Sequence, residues 1–256
     1  MTNRVTHDAS LLDYFLAEHR QPFSGWDFAY LQARRETIRS QPGWDYTAIV
    51  RGAMHEAAAL LDMDTGGGEF LASLAPLPPD TTAIEGYTPN IPLATQRLAS
   101  LGVQVLAMDA RGPLAFSDGR FDLVTNRHGA YLPHEVHRVL RQRARFITQQ
   151  VASQTNAYLH ELLEGHGKAD RWHLALAVRQ LKAAGFRIVE QREEASITRY
   201  HDVGAIVYYL KAVPWEIPDF TVERYYDHLV AIHHRIQADG PLDVPFHTFL
   251  IVAEAG

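Results

Sequence analysis

The run Ala57-Ala58-Ala59-Leu60-Leu61-Asp62-Met63-Asp64-Thr65-Gly66-Gly67-Gly68-Glu69-Phe70 constrains this chain more than any other stretch, because an apolar segment ends in an acid and then breaks into three consecutive glycines. Apolar residues bounded by turn signals read as a parallel strand covered on both faces. The following Glu69-Phe70-Leu71-Ala72-Ser73-Leu74 reads as a helix start. Without a Cβ, residues 66 to 68 tolerate positive φ and let peptide N–H groups approach a polar or anionic ligand near the helix N-terminus. The expectation is a nucleotide-type binding turn at the C-terminal end of a buried strand.

The pattern of a strand ending in an acid recurs. Thr81-Thr82-Ala83-Ile84-Glu85 reads as a second strand, and Glu85 stands at its end beside Gly86-Tyr87. Nucleotide-binding α/β domains place a carboxylate there on ribose hydroxyls, since its two oxygens can accept from both at once. A helix from Ile91 to Leu101 leads to a third strand, Val103-Gln104-Val105-Leu106-Ala107-Met108, again followed by an acid in Asp109-Ala110. The fourth strand closes on Asn126-Arg127-His128-Gly129. His128 is the candidate general base, because an unperturbed histidine titrates near neutrality.

Taken together, Asp62-Met63-Asp64-Thr65-Gly66-Gly67-Gly68, Glu85, Asp109-Ala110 and the approach to the fourth strand over residues 113–126 resemble class I S-adenosylmethionine-dependent methyltransferases. Their first signature is an acid followed by three glycines at alternate positions, and Asp64 occupies the place of the first glycine. The resemblance covers roughly residues 55 to 152. It implies an α/β fold with a doubly wound, seven-stranded, mostly parallel Rossmann-like sheet. It also implies S-adenosyl-L-methionine as cofactor, held by Asp62, Asp64, Gly66, Gly67, Gly68, Glu85, Gly86, Tyr87, Asp109, Ala110 and Asn126. In that family an Asp-Ala pair like Asp109-Ala110 holds adenine. A nicotinamide-dependent oxidoreductase is the rival on a similar sheet, but its G-x-G-x-x-G turn needs a third glycine where Leu71 stands. The proline-glycine-glycine turn usual before the family's fifth strand is replaced by Arg141-Gln142-Arg143.

Composition removes several chemistries. The absence of cysteine excludes disulfides, zinc-thiolate sites, iron–sulfur clusters and cysteine nucleophiles. His134 and His137 lie three apart on one helical face without a nearby third ligand, so no metal site is expected. A net charge of −6 disfavours nucleic acid as acceptor, although Arg138, Arg141, Arg143 and Arg145 form a local basic cluster. No apolar run approaches the ~20 residues that span a bilayer, and the start of the chain is polar. A soluble cytoplasmic protein without a membrane partner is expected, its oligomeric state open.

The remaining residues suggest the organisation. Helical spacing over residues 8 to 57, broken at Gln21-Pro22 and Gln41-Pro42-Gly43, predicts three helices and an N-terminal helical cap over 1–54. Residues 55–256 would then form the cofactor-binding domain. A helix ending at Ala184 and a strand at Phe186–Gln191 precede a helical insertion over 197–242, before a last strand at His247–Ala253. The insertion is too long for a plain loop, and Tyr208, Tyr209, Trp215, Tyr225 and Tyr226 suggest an aromatic-lined acceptor pocket, with packing of the helices as the plainer alternative. The expected activity is methyl transfer to a small-molecule acceptor. The rivals are an rRNA or tRNA methyltransferase, the oxidoreductase, and a non-catalytic S-adenosylmethionine-binding module.

Overall fold

Strand β2 (Ala59–Met63) runs through the middle of the sheet and is buried at all five positions, which is why its sequence is apolar apart from Asp62 rather than alternating. Leu60 and Leu61 are both 0% exposed, and each such burial contributes about 1.5–3 kcal/mol. The architecture is a computed structural model describing residues 9–24, 27–39, 43–165 and 171–256. Trp26, Gln41-Pro42 and the first two residues of the helix expected from Ala169 lie outside the described residues.

Around β2 the parallel strands are β3 (Asp80–Glu85), β4 (Gln104–Ala107), β5 (Phe121–Arg127) and β6 (Leu140–Val151). β7 (Phe186–Tyr200) and β8 (Leu242–Ala255) form a long antiparallel pair, with β8 joined to β6. The sheet order is β1-β7-β8-β6-β5-β2-β3-β4, where β1 is the edge strand Arg35–Ile38. The order reverses between β5 and β3 on either side of β2, and in such sheets ligands bind in the crevice outside the carboxyl ends of the strands at that point.

The sheet has eight strands, not seven. The extra one, β1 (Arg35–Ile38), lies inside the segment expected to be wholly helical and pairs antiparallel with Ile197–Tyr200 of β7. The N-terminal segment therefore holds two described helices, α1 (Ala9–Arg20) and α2 (Tyr46–Met54), with a 3-10 turn at Ala29–Leu31. Four residues of Arg-Glu-Thr-Ile have no strand period of their own. The distant edge of β7 supplies the hydrogen bonds that make them a strand.

Helices cover both faces. α2, α3 (Glu69–Ser73) and α4 (Ile91–Leu98) supply Val50, Leu71 and Leu98 to one core, with Leu250 and Ile147 from the sheet. α5 (Pro133–Val139) and α7 (Leu174–Ala183) supply Val136, Val139 and Leu181 to the other, with Phe146 and Phe249. Leu71, which stands where a dinucleotide turn would have glycine, is a fully buried core residue. Arg143, in the replaced family turn, adopts φ +64°, the conformation glycine would otherwise provide.

A third core joins α1, α6 (Ala157–Glu164), α8 (Val203–Ala212) and α9 (Tyr226–Asp239). The aromatic residues expected to line a pocket are mostly interior here. Tyr208, Tyr209, Tyr225 and Tyr226 are buried, with Tyr208 packed on Phe23 and Tyr30, and Tyr226 on Phe15. Trp215 is the exception at 62% exposed. Arg34 ties α1 to α8, donating to Glu18 of α1 and to Asp202, the residue that caps α8 by accepting from Ala205 N.

Candidate functional site

The glycine turn is held open by an acid from the neighbouring strand. Glu85, at the end of β3, accepts from Gly66 N through Oε2 and from Tyr87 N through Oε1, each at 2.6 Å. Gly66 and Gly68 have φ of +64° and +80°, so the turn needs residues without a side chain at those two places. Gly67, expected to share that conformation, does not. Its carbonyl instead accepts from Arg97 of α4, which also pairs with Glu69 at the start of α3. Burial raises the Glu85 pKa even though three backbone N–H groups, of Tyr87, Gly66 and Gly86, oppose the shift.

Gly86 brings the end of β3 against the end of β4. A Cβ there would stand 3.4 Å from Asp109 Cα and 3.5 Å from the Met108 carbonyl, so the two acidic strand ends can sit side by side. Asp109 is half exposed, and Arg111 grips both its oxygens at 2.9 and 3.0 Å, which holds its pKa below the usual carboxylate range. Ala110 beside it is buried, and the Tyr87 ring is 59% exposed.

The acids on β2 behave differently from one another. Asp62 is buried and accepts from Thr125 Oγ1 of β5 at 2.7 Å, so it braces the two central strands; burial lifts its pKa to about 6. Asp64, one step past the strand, has φ +54°, and burial followed by repulsion from Glu85, Asp109 and Asp62 raises its pKa to about 7.

At the end of β5, Asn126 is fully buried, and its Oδ1 accepts from Gln150 Nε2 at 2.6 Å and Thr148 Oγ1 at 3.1 Å. Its side chain is directed to β6 rather than outward. Tyr46 of α2 donates its hydroxyl to the Asn126 carbonyl at 3.1 Å. His128 follows with φ +65° and its ring at the surface. Trp44 Nε1 donates to Gln149 Oε1 at 2.7 Å, which turns the Gln149 amide nitrogen toward His128 Nε2 at 2.9 Å. Nε2 is then an acceptor, so the ring is neutral with its proton on Nδ1. Partial desolvation and the adjacent Arg127 charge lower its pKa, consistent with that state.

Residues 61–150 match a family model described as a methyltransferase domain. These residues form a methyltransferase domain, about a third of the chain, and the cofactor of such a domain is S-adenosylmethionine. Solved structures share the fold: a putative methyltransferase from Bacillus halodurans has 19% identity and a TM-score of 0.62, covering 83% of this chain and 99% of its own. The YcgJ protein from Bacillus subtilis has 16% identity and a TM-score of 0.56, with 82% and 97% covered. The [4+2]-cyclase SpnF, at 14% identity and a TM-score of 0.53 with 96% and 91% covered, has the same fold under another reaction name. No curated protein matches the sequence.

The residues of this methyltransferase fit its cofactor. Gly86 leaves backbone exposed at the end of β3, and carboxylates suit, as acceptors, hydroxyls and an amine and, by charge, a cation. The structure gathers Asp64, Gly66, Glu85, Gly86 and Asp109 at the carboxyl edge of adjacent strands. Asp62 and Asn126 lie in the same region with side chains turned into the sheet. Gln149, Arg97 and Arg111 were not expected from the sequence. Their partners are far along the chain, except for Arg111, whose spacing of two from Asp109 was a visible signal.

The described residues contain no cluster of three or more His, Asp or Glu suited to a metal. Among them, no helix is long and apolar enough to cross a membrane.

Proposed function

We propose that this methyltransferase acts on a small-molecule acceptor bound between the carboxyl edge of the sheet and the cap built from α1, α6, α8 and α9. The observation that carries the reading is the fate of the basic cluster. Arg138 is paired with Glu135 and Asp118, Arg141 with Asp122, and Arg145 with Glu56, so three of the four arginines that suggested nucleic-acid contact are paired with acids. With a net charge of −6, the chain lacks the electrostatic attraction on which RNA binding mostly rests.

In this reading Glu85 takes the ribose hydroxyls, Asp109 the adenine amine, and the glycine turn the amino-acid end, with Arg111 displaced from Asp109 as the adenine enters. When bound, the cofactor supplies an electrophilic methyl group on a positively charged sulfur. The protein's task is alignment of the acceptor with that methyl, and effective molarity supplies much of the rate. His128, neutral and with Nδ1–H free to donate, orients an acceptor oxygen or nitrogen instead of removing its proton. The segments 1–54, 55–256 and 197–242 serve as cap, cofactor domain and acceptor-side insertion, with β1 and α6 joining the first and last.

Methyl transfer from labelled cofactor to a panel of small metabolites and to total tRNA and rRNA tests this. Incorporation into small molecules with none into RNA supports the reading. Incorporation into RNA, with affinity falling steeply as salt rises, overturns it.

A further inference from the structure

Asp64 puts a side chain where the related signature has only backbone. Its φ of +54° is the left-handed region that Asp and Asn enter at least cost among non-glycine residues, so the turn keeps its shape despite the substitution. The carboxylate reaches from the end of β2 to the loop after β5. A Cβ on Gly129 would collide with Asp64 Oδ2, so glycine at 129 is what leaves room for it.

Two further observations concern charge and position. Asp64 is part-buried and makes no hydrogen bond or ion pair among the described residues, although Glu85, Asp109 and Asp62 are close enough to raise its pKa and Arg111 close enough to oppose them. Glu85 and Asp109 lie on one side of β2 in the sheet order, at the ends of β3 and β4, while Gly129 lies on the other side, just past β5. A cofactor whose nucleoside rests on Glu85 and Asp109 must extend its sulfur end across β2 toward β5, past Asp64. The methyl donor and its demethylated product differ by one methyl group and one positive charge on that sulfur. A glycine offers both the same neutral backbone. A fixed carboxylate does not.

We infer that Asp64 makes the cleft select the cationic methyl donor over its neutral product, by setting an unpaired carboxylate beside the sulfonium end of the cofactor. The inference rests on the cofactor assignment above, and it gives the departure from the family's glycine a function: a product without the positive charge leaves a site in which the carboxylates of Asp64, Glu85 and Asp109 remain.

Calorimetric titration of the full chain with S-adenosylmethionine and with S-adenosylhomocysteine, at pH 8 so that the Asp64 carboxylate is ionised, tests it. Asp64→Asn and Asp64→Gly both suit a left-handed φ and should fold. The wild type should prefer the cationic ligand by roughly tenfold or more, the scale of a hydrogen bond to a charged group. Both variants should reduce that preference by about ten- to a hundredfold, leaving the affinity for the product nearly unchanged. Gly129→Ala, which pushes the carboxylate aside without changing residue 64, should weaken the preference as well. An unchanged ratio in all three variants overturns the inference and leaves the cofactor assignment standing. Tighter binding of both ligands by Asp64→Gly overturns it too, since Asp64 would then be an obstruction. If neither ligand binds the wild type or any variant, the cofactor assignment falls and takes the inference with it.

Discussion

Replacing Glu85 by Gln changes one carboxylate oxygen into an amide nitrogen and removes the charge while keeping the length of the side chain. In the wild type both oxygens are occupied at 2.6 Å, one by Gly66 N and the other by Tyr87 N. A glutamine can accept with only one oxygen, so its NH2 group must face a second N–H donor, and one of the two backbone groups loses its partner. A hydrogen bond to a charged group is worth about 1.5–3 kcal/mol, and a neutral one about 0.5–1.5 kcal/mol. Part of the loss is offset, because the buried carboxylate is itself penalised, as its raised pKa shows. The net expectation is a loss of roughly 1–2 kcal/mol in stability of the ligand-free protein, read from urea unfolding at neutral pH. Cofactor affinity should fall by a further 1.5–3 kcal/mol, about ten- to a hundredfold in Kd, because the ribose hydroxyls lose a charged acceptor as the glycine turn loosens. Calorimetry reads the second effect independently of the first. If Glu85→Gln leaves both the unfolding midpoint and the dissociation constant where they were, Glu85 neither anchors the turn nor meets the ribose, and the geometric argument is wrong.

The other expectations concern the same region. Asp64 and Asp62 have folded pKa values raised to about 7 and about 6, against ~3.9 in an unfolded chain. Between about pH 4 and 7 the native protein therefore holds protons that the unfolded chain has released, and stability should fall as pH rises through that window. Asp64→Asn should flatten the slope between pH 5.5 and 7.5 in urea titrations; a slope identical to wild type would show that Asp64 is not a raised carboxylate. Gly68→Ala should destabilise the protein by roughly 1–2 kcal/mol from backbone alone, since φ is +80°, with Leu98 at 3.0 Å adding strain. A melting temperature within a degree of wild type would argue against it. His128→Ala should slow methyl transfer modestly, about tenfold, with an otherwise unchanged pH profile below 7, whereas loss of all activity would mean that the ring does act as a base.

The central half of the fold was legible because its signals are local. Ala59–Met63 is apolar apart from Asp62 and runs into glycines, so strand, turn and helix follow from residues adjacent in sequence. Glu85 and Asp109 could be placed at strand ends for the same reason, since an acid closing an apolar run marks where the chain leaves the core. Other features depend on partners that no local pattern names. Arg35–Ile38 is a strand because residues 197–200 offer it an edge, across more than half the chain. Tyr208 and Tyr226 look the same in sequence whether they line a pocket or fill a core, and Phe15, Phe23 and Tyr30 of the N-terminal segment decide that they fill one. The direction of the Asn126 side chain is set by Gln150 and Thr148 on the neighbouring strand. Likewise, the proton position on His128 is set by a relay from Trp44 through Gln149. Residue type determined which groups can carry charge or allow close approach; hydrogen-bond geometry between distant segments decided which of them face a ligand, and in what protonation state.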